Sequence, residues 1–276
     1  MRLFNKVAVV GTGLVGGSLA ISIQKKGLAG EVVGVSRHAK NIALAVKIGA
    51  IDRGSRELGI IKDADLVVLA TPVDSIIKLS RKVSRLIRPD CIVMDVGSTK
   101  EKIVSCLEGE FANFVGSHPL AGSEKRSIAY AHAGMFKGSL CILTPTGKTR
   151  KPALNKIKKL WESVGARVVL LSPGTHDSIL AFVSHLPHVV AFSLINSVPG
   201  ACLSFASGGL KDTTRIAASD AELWGEIFLS NRKNLLRAIG VFQKRLSDIR
   251  SALNKEDARS LQRALREAKI KREKLG

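Results

Sequence analysis

The first part of the chain alternates between short apolar runs and stretches in which apolar residues recur every three or four positions. Continuous apolar runs are typical of strands buried on both faces of a parallel sheet, and the intervening periodicity is typical of helices packed against it. The predicted strands are residues 7–10, 31–36, 65–70, 91–95, 115–118, 140–143 and 167–171. The predicted helices begin at Leu14, Asn41, Pro72, Thr99 and Lys151. This alternation predicts an α/β fold with a doubly wound, mostly parallel, Rossmann-like sheet.

The pattern changes at Ser172-Pro173, and the chain is predicted to be helical from there onward. Residues 184–195 are apolar nearly all round, as in a helix buried in a core or a subunit interface. Longer amphipathic helices are predicted at 224–242 and 251–274. We therefore divide the chain into residues 1–172 and an all-helical domain, residues 173–276. A helical domain of roughly 100 residues cannot easily bury such faces alone, so we expect a homodimer through it.

A glycine-rich turn follows the first strand and leads directly into the first helix. Gly11 allows the tight turn, Gly13 lets the backbone approach a pyrophosphate, and Gly16 lets helix and strand pack closely. The free N–H groups at the start of the helix face the phosphates with the positive end of its dipole. Residues 1–172 are therefore predicted to bind a nicotinamide dinucleotide. The predicted cofactor-binding residues are Gly11, Thr12, Gly13, Leu14, Val15, Gly16, Ser36, Arg37, Thr71 and Pro72.

The end of the second strand indicates which dinucleotide is bound. An NAD site usually has Asp or Glu there to accept hydrogen bonds from the ribose 2′-hydroxyl. This chain has Ser36-Arg37-His38, which offers a hydroxyl and a guanidinium to a 2′-phosphate and no carboxylate to repel it. The alternative is that Arg37 is a solvated surface residue. We expect NADP as the favoured cofactor, with NAD possible.

Composition places the chain among globular proteins, with 45% hydrophobic and 24% charged residues in 276. No apolar run approaches the roughly 20 residues of a membrane span, and the first strand begins too close to Met1 for a signal peptide. Of the four scattered cysteines, three lie among apolar residues, as reduced core thiols do. We therefore expect a cytoplasmic protein with no membrane partner.

The formal net charge of +20 is the unusual bulk property. The positive residues are spread along the chain rather than gathered in one arm, so we do not expect a nucleic-acid partner. A positive field would also steer an anionic substrate and cofactor to the site. A basic nucleic-acid-binding module is the alternative from a different class of function.

Polar residues follow three of the predicted strands, at the sheet edge where ligands gather. They are Thr71-Pro72, Gly97-Ser98 and Gly116-Ser-His118-Pro119. His118 would lie beside the nicotinamide, able to accept a proton from a substrate hydroxyl. A structural histidine in a strand-to-loop turn is the equally weighted alternative.

The helical half contributes two polar segments, Ser184-His-Leu-Pro-His188 and Lys211-Asp212-Thr-Thr-Arg215. No carboxylate or thiol lies at ligand spacing from the two histidines, so no metal site is expected. Arg215 stands among small residues, where a guanidinium is costly to bury without a carboxylate. It would suit a substrate carboxylate, or an ion pair with Asp212 or Glu124. His176, like His38 and His132, is predicted to be a surface or capping residue.

Taken together, the motifs resemble those of the prephenate dehydrogenase family. They are Gly11-Thr-Gly-Leu-Val-Gly-Gly-Ser-Leu, Asp95-Val-Gly-Ser-Thr-Lys100, Gly116-Ser-His-Pro-Leu-Ala-Gly-Ser-Glu124, Ser184-His-Leu-Pro-His188 and Gly209-Leu-Lys-Asp-Thr-Thr-Arg215. They occur in the family's order, from Val7 to the C-terminal helix. The glycine motif is shared with many enzymes, whereas the His-Pro-x-Ala-Gly and His-Leu-Pro-His segments together are specific.

The resemblance implies an oxidoreductase of tyrosine biosynthesis, which converts the dicarboxylate prephenate to 4-hydroxyphenylpyruvate and CO2 with hydride transfer to NAD(P)+. In this reading His118 accepts the proton of the ring hydroxyl, and Ser98 holds that hydroxyl and His118 in register. The implied substrate-binding residues are Arg215 for a carboxylate, Ser184 and His188 at the side-chain end, Glu124, Lys211 and Asp212 as a polar gate, and Trp224 as a pocket wall reached within one chain or across the dimer.

Alternatives remain on the same scaffold. Arogenate dehydrogenase is the nearest, although relatives that use arogenate often lack the histidine at His188, which favours prephenate. A β-hydroxyacid dehydrogenase would need a catalytic lysine in the helical domain, and Lys233 lacks the glycine-rich approach of such sites.

Overall fold

A computed structural model describes residues 2–122 and 127–275 of the chain. Within them, one eight-stranded sheet has the order β3-β2-β1-β4-β5-β6-β7-β8. All neighbouring strands are parallel except β6 and β7, which pair antiparallel with His118 opposite Ile142. The strands are β1 Phe4–Val10, β2 Ala29–Val35, β3 Arg53–Ser55, β4 Leu66–Leu69, β5 Ile92–Asp95, β6 Phe114–Pro119, β7 Leu140–Thr144 and β8 Arg167–Leu170. The predicted doubly wound sheet is confirmed; only the three-residue edge strand β3 was missed.

Helices separate the strands and then make up the rest of the chain. The first five are α1 Leu14–Lys25, α2 Ala39–Lys47, α3 Val73–Ser84, α4 Glu101–Leu107 and α5 Lys151–Ser163. The remainder are α6 Pro173–Leu180, α7 Leu186–Ser197, α8 Gly208–Thr214, α9 Ala221–Ser230, α10 Arg232–Asn254 and α11 Ala258–Glu273. Among the described residues no strand follows β8, as the sequence predicted.

The continuous apolar strands are explained by burial on both faces of the sheet. In β1, Val7 and Val9 join one core cluster together with Leu19 of α1, while Ala8 and Val10 join the cluster on the opposite face. Side chains alternate across a strand, so a strand with helices on both sides needs an apolar residue at every position. Because β1, β2, β4, β5 and β6 are parallel, their carboxyl ends lie at the same edge of the sheet.

Two helix boundaries differ from the prediction. The expected helix 224–242 is divided at Asn231, where α9 ends, and the expected helix 251–274 begins only at Ala258. Asn231 is buried, and its side-chain amide donates to the backbone oxygen of Asp177 at 2.7 Å. A tertiary contact therefore ends the helix at a position where apolar periodicity alone continues.

The helical run Pro173–Ser197 is longer and more apolar than expected. By length and composition alone it could cross a membrane, so the expectation that no run approaches such a length was wrong. This is weak evidence, because core helices pass the same test, and here His176 and Asp177 are buried in polar contacts of the domain. Ala191 is the buried residue of α7, which leaves the rest of that helix partly or fully exposed within one chain.

The chain forms two compact units, Met1–Asn231 and Arg232–Gly276. The first unit contains the sheet and α1 to α9, and the second contains α10 and α11, which pack on each other. The boundary predicted at residue 172 marks where the α/β alternation ends. As a domain boundary it stays a prediction.

Candidate active site

The glycine-rich turn after β1 forms the floor of a cavity of about 940 Å3. Gly11 has φ 104°, a left-handed conformation that favours glycine, and a Cβ there would overlap the carbonyl oxygen of Ala70. Gly13 is the N-cap of α1, and no side chain caps the helix there. The first N–H groups of a helix have no carbonyl partner within the helix, an arrangement that suits an anion.

The lining of this cavity fits a dinucleotide. Two buried hydroxyl oxygens, those of Thr12 and Thr71, have no hydrogen-bond partner among the described residues, and both residues line the cavity. A buried hydroxyl without a partner is unfavourable unless a ligand satisfies it. Of the predicted cofactor residues, the following line the cavity: Gly11, Thr12, Gly13, Ser36, Arg37, Thr71 and Pro72. Leu14, Val15 and Gly16 belong to the first turn of α1 and do not line it.

One end of the cavity is strongly positive. Ser36 and Arg37 follow β2, and Arg56 follows the neighbouring strand β3, with the backbone N–H of Ser36 bonded to Ser55. The basic residues that line the cavity are Arg37, His38, Arg56, Lys78, Lys82 and Arg85, against one carboxylate, Glu57. This composition suits a ligand with more than one phosphate.

A second cavity, of about 480 Å3, opens at the same sheet edge. It brings together the ends of β5 and β6 with residues of α6, α7 and α9 and of the turns beside them. Six predicted site residues line it: Ser98, His118, Ser184, His188, Arg215 and Trp224. Trp224 reaches this cavity within one chain. Lys211 and Asp212 are exposed on α8 and are not among its lining residues. Glu124 lies outside the described residues.

Arg215 differs from its predicted environment. Small neighbours suggested a buried guanidinium, but the residue is exposed at the cavity wall. It begins the single turn of 3-10 helix Arg215–Ala218 that follows α8. Burial of a guanidinium is costly, and the exposure of Arg215 keeps that desolvation cost small.

His118 is the first of three buried side chains that are hydrogen-bonded in series. Its Nδ1 lies 2.8 Å from Nε2 of His176, and Nδ1 of His176 lies 2.7 Å from Oδ1 of Asp177. Burial, followed by the electrostatic effects of the neighbouring His176 and Lys100, lowers the pKa of His118 well below its ordinary value. His118 is therefore a neutral imidazole near pH 7 and can accept a proton.

The prediction that His176 is a surface or capping residue was wrong. The residue is fully buried in α6, a helix whose start is fixed by Ser172 accepting from the N–H of Thr175 and by Pro173 in its first turn. His176, Asp177 and Leu180 form the buried face of that helix. The helical spacing of these residues was a signal in the sequence, but it could not show that this face meets His118.

A buried ion pair supports the turn that carries Ser98. Lys100 and Asp95 are both fully buried and hydrogen-bonded to each other. Asp95 also accepts from the N–H groups of Gly97 at 2.8 Å and Ser117 at 3.3 Å. One carboxylate thus ties the residue before Ser98 to the residue before His118, which fixes the spacing of the two predicted catalytic groups.

The far wall of the cavity depends on an irregular helix. Residues Ala181–His185 form a π-helical turn between α6 and α7, a feature common at functional sites. His188 donates from Nδ1 to the backbone oxygen of Ser184 at 2.9 Å and stacks on Trp224 with 3.4 Å between ring centroids. Burial lowers the pKa of His188 and, to about 4, that of His185. The residue range that looked uniformly apolar therefore presents a polar edge to the cavity.

Cysteine positions also depart in part from expectation. Cys91 and Cys141 are buried, whereas Cys106 and Cys202 are exposed, and all four are free thiols. Burial raises the pKa of Cys91 to about 12, so that thiol is protonated and unreactive.

Comparison with known proteins places this arrangement in a family. The model described as "Prephenate dehydrogenase, nucleotide-binding domain" matches residues 19–170, and "Prephenate dehydrogenase, dimerization domain" matches residues 172–267. A prephenate dehydrogenase from Bacillus subtilis strain 168 is 34% identical over 285 residues, covering 99% of this chain and 77% of that protein.

Solved structures agree over nearly the whole chain. Prephenate dehydrogenase from A. aeolicus, in complex with hydroxyphenyl propionate and NAD+, has a TM-score of 0.94 and 38% identity, covering 99% of this chain and 98% of that one. Synechocystis arogenate dehydrogenase has a TM-score of 0.86 and 29% identity, covering 98% of this chain and 100% of that one. The family models, the relatives and the shared fold show that this chain belongs to the prephenate dehydrogenase family.

Proposed function

We propose that the enzyme oxidatively decarboxylates prephenate to 4-hydroxyphenylpyruvate and CO2, with a nicotinamide dinucleotide as oxidant. The observation that carries the proposal is the meeting of His118 and Arg215 on the walls of one cavity, at the same sheet edge as the dinucleotide cavity. A proton acceptor and a carboxylate ligand are the two groups that this substrate requires from the protein.

His118 is proposed as the general base. Its neutral ring accepts the proton of the ring hydroxyl as the C–O bond becomes a carbonyl, while Ser98 holds the hydroxyl beside it. The bound nicotinamide supplies a hydride acceptor for the hydrogen on the carbinol carbon. Loss of the ring carboxylate as CO2 leaves its electron pair in the ring, which becomes aromatic, and the oxygen regains its proton from His118. The protein's main contribution is orientation, because aromatisation drives the reaction.

Arg215, Ser184, His188 and Trp224 are proposed to bind the substrate. The accessible guanidinium of Arg215 offers a bidentate contact to a carboxylate, and the stacked pair His188–Trp224 forms the wall at the side-chain end. Lys211, Asp212 and Glu124 stay proposed members of a polar gate, a role that rests on the family resemblance.

Activity measurements test this proposal. The purified enzyme is mixed with prephenate or arogenate, each with NADP or NAD, and the absorbance of the reduced nicotinamide is followed. We expect turnover with prephenate and a fall of about 10²- to 10⁴-fold in kcat for His118→Asn with cofactor binding retained. The matched control is His132→Asn, an exposed histidine outside both cavities. Turnover of arogenate but not prephenate would refute the proposal, and so would normal activity of the His118→Asn variant.

We further propose NADP as the favoured cofactor. Ser36 and Arg37 in place of an acidic residue, together with the positive lining that Arg56 and Lys78 extend, support a 2′-phosphate contact. Arg37→Ala should raise the Kd for NADP by about 10- to 100-fold, the effect of one charge-assisted hydrogen bond, and leave the Kd for NAD nearly unchanged. Arg81→Ala is the control, because Arg81 is exposed on α3 outside the cavity. Equal effects of Arg37→Ala on both cofactors would refute the preference.

Arogenate dehydrogenase activity is the second candidate. Because Nδ1 of His188 donates to a backbone oxygen, the neutral ring presents Nε2 as an acceptor, which suits the ammonium group of arogenate. Protonated His188 would instead donate to the keto acid of prephenate. Because burial lowers the pKa of His188 below its ordinary 6.5, the ratio of prephenate to arogenate turnover should rise as the pH falls from 7 to 5. A ratio that is constant over that range would remove His188 from substrate choice.

A homodimer through the helical domain is supported by the match to a dimerization domain and by exposed apolar residues of that domain, including Phe182, Val183 and Leu229. A cytoplasmic location stays a proposal, supported by the four free thiols.

A further inference from the structure

His176 is hydrogen-bonded to His118 and Asp177 to His176, and neither was predicted to take part in catalysis. They are buried, on α6, and join His118 at the end of β6 to the start of α4. Asp177 accepts the backbone N–H of Lys100 at 2.7 Å through Oδ1 and that of Glu101 at 2.9 Å through Oδ2. Its carboxylate thus already has two fixed donors besides the ring of His176.

The hydrogen positions along this row follow from chemistry. Every partner of the Asp177 carboxylate is a donor, and these bonds lower the pKa of Asp177, so it is ionised and can only accept. The hydrogen between it and His176 must then be on Nδ1 of His176. Burial lowers the pKa of His176, so that ring is neutral and its Nε2 is an acceptor.

The same reasoning reaches His118. Since Nε2 of His176 accepts, Nδ1 of His118 carries the hydrogen and donates across the 2.8 Å contact. The remaining nitrogen of His118, Nε2, therefore has a lone pair. The other tautomer of His118 would lose this hydrogen bond inside a buried site and would present an N–H where a base is needed.

We propose that Asp177 and His176 are positioning residues that hold His118 in the tautomer whose Nε2 is free to accept the substrate's proton. The inference rests on the proposed role of His118 as general base. Neither residue touches the substrate, because His176 and Asp177 do not line the cavity.

Neighbouring groups also affect the protonation of the His118 ring. Lys100 and His185 disfavour a positive charge on His118, and Asp95 pairs with Lys100 beside it. When His118 takes up the substrate's proton, both its nitrogens become donors and the bond to His176 is kept. The row therefore accommodates both states of the base without rearrangement, which is the preorganisation expected of a catalytic site.

The test asks whether position 176 must accept a hydrogen bond from His118 or need only fill the space beside it. His176→Leu removes the acceptor, and His176→Gln returns an amide oxygen near the position of Nε2. We expect His176→Leu to lower kcat by roughly 10²- to 10³-fold, within the range of general-base catalysis, with KM changed less than about threefold. His176→Gln should recover most of that loss. Exposed His132→Leu is the matched control, and cofactor binding monitors folding.

Nitrogen NMR of 15N-histidine-labelled enzyme without substrate reads the tautomer directly. We expect the His118 ring, assigned by its loss in His118→Asn, to show a protonated Nδ1 and an unprotonated Nε2, and His176→Leu to mix the tautomers. A protonated Nε2 in the wild type, an unchanged kcat for His176→Leu, or a folded His176→Gln as slow as His176→Leu would overturn the proposal. Failure of the enzyme to oxidise prephenate would instead refute the proposed function, since the NMR result does not depend on turnover.

Discussion

Removal of the buried carboxylate of Asp95 should strongly destabilise the fold. Asp95 and Lys100 have fully buried side chains, and Asp95 pairs with the Lys100 ammonium and accepts hydrogen bonds from two backbone N–H groups. Asp95→Ala leaves that ammonium buried without its counter-charge. Breaking a buried pair from one side costs about 3–5 kcal/mol, because the remaining charge keeps its desolvation penalty and loses its attraction.

The exposed pair Asp90–Arg88 gives the scale for comparison. Its N–O distance is 3.1 Å, but the Asp90 side chain is 75% exposed, so Asp90→Ala should cost about 0–1 kcal/mol. Urea unfolding at fixed protein concentration, followed by circular dichroism, measures the free energy of unfolding of both variants. Since about 1.4 kcal/mol corresponds to a tenfold change in the equilibrium constant, Asp95→Ala should lower the folding equilibrium constant by about 10²- to 10⁴-fold.

A double variant distinguishes charge from shape. Asp95→Asn/Lys100→Met removes both charges and keeps an acceptor for the N–H groups of Gly97 and Ser117, so it should be more stable than Asp95→Ala. If Asp95→Ala costs no more than Asp90→Ala, the burial argument is refuted. If the double variant is the less stable one, the uncompensated ammonium is not the cause of the loss.

Three further outcomes are expected. Gly11→Ala should raise the Kd for the dinucleotide more than about 10²-fold by calorimetry, since a Cβ there overlaps Ala70 and φ is 104°; retained affinity would contradict the assigned phosphate turn. Arg215→Ala should raise KM about 10- to 100-fold with a smaller effect on kcat in steady-state assays, and an unchanged KM would favour a structural role. The free energy of unfolding should fall as the pH drops from 7 towards 4, because burial lowers the pKa of His118 well below 6.5 and that of His185 to about 4. The unfolded chain therefore binds protons first, and pH-dependent urea titrations that stay flat would contradict this.

Much of the architecture was present in local patterns. The apolar runs and helical periodicity before residue 172 predicted the strands and their alternation with helices, because a parallel sheet covered on both faces needs continuous apolar strands. The glycine motif predicted the tight turn after β1, and Gly11 there has φ 104°, a conformation that glycine adopts readily. His118 was predicted as a candidate because sheet topology places strand ends at one edge.

Other features needed the folded chain. The pattern around Asn231 is helical, but α9 ends there, where the buried side chain is hydrogen-bonded to the backbone of Asp177, 54 residues away, and lies 3.1 Å from Nδ1 of His185. The exposure of Arg215 likewise could not be read from its small neighbours. Local propensity is overridden where distant backbone groups must be paired.

The sequence by itself determined the fold class, the dinucleotide turn and the residues that could do chemistry, because these depend on periodicity and on side chains near each other along the chain. Only the tertiary structure decided that His176, 58 residues from His118, lies within hydrogen-bonding distance of it. Hydrogen bonds act over about 3 Å, and the packing of α6 against α4 and β7 that accompanies this contact leaves no pattern in either segment.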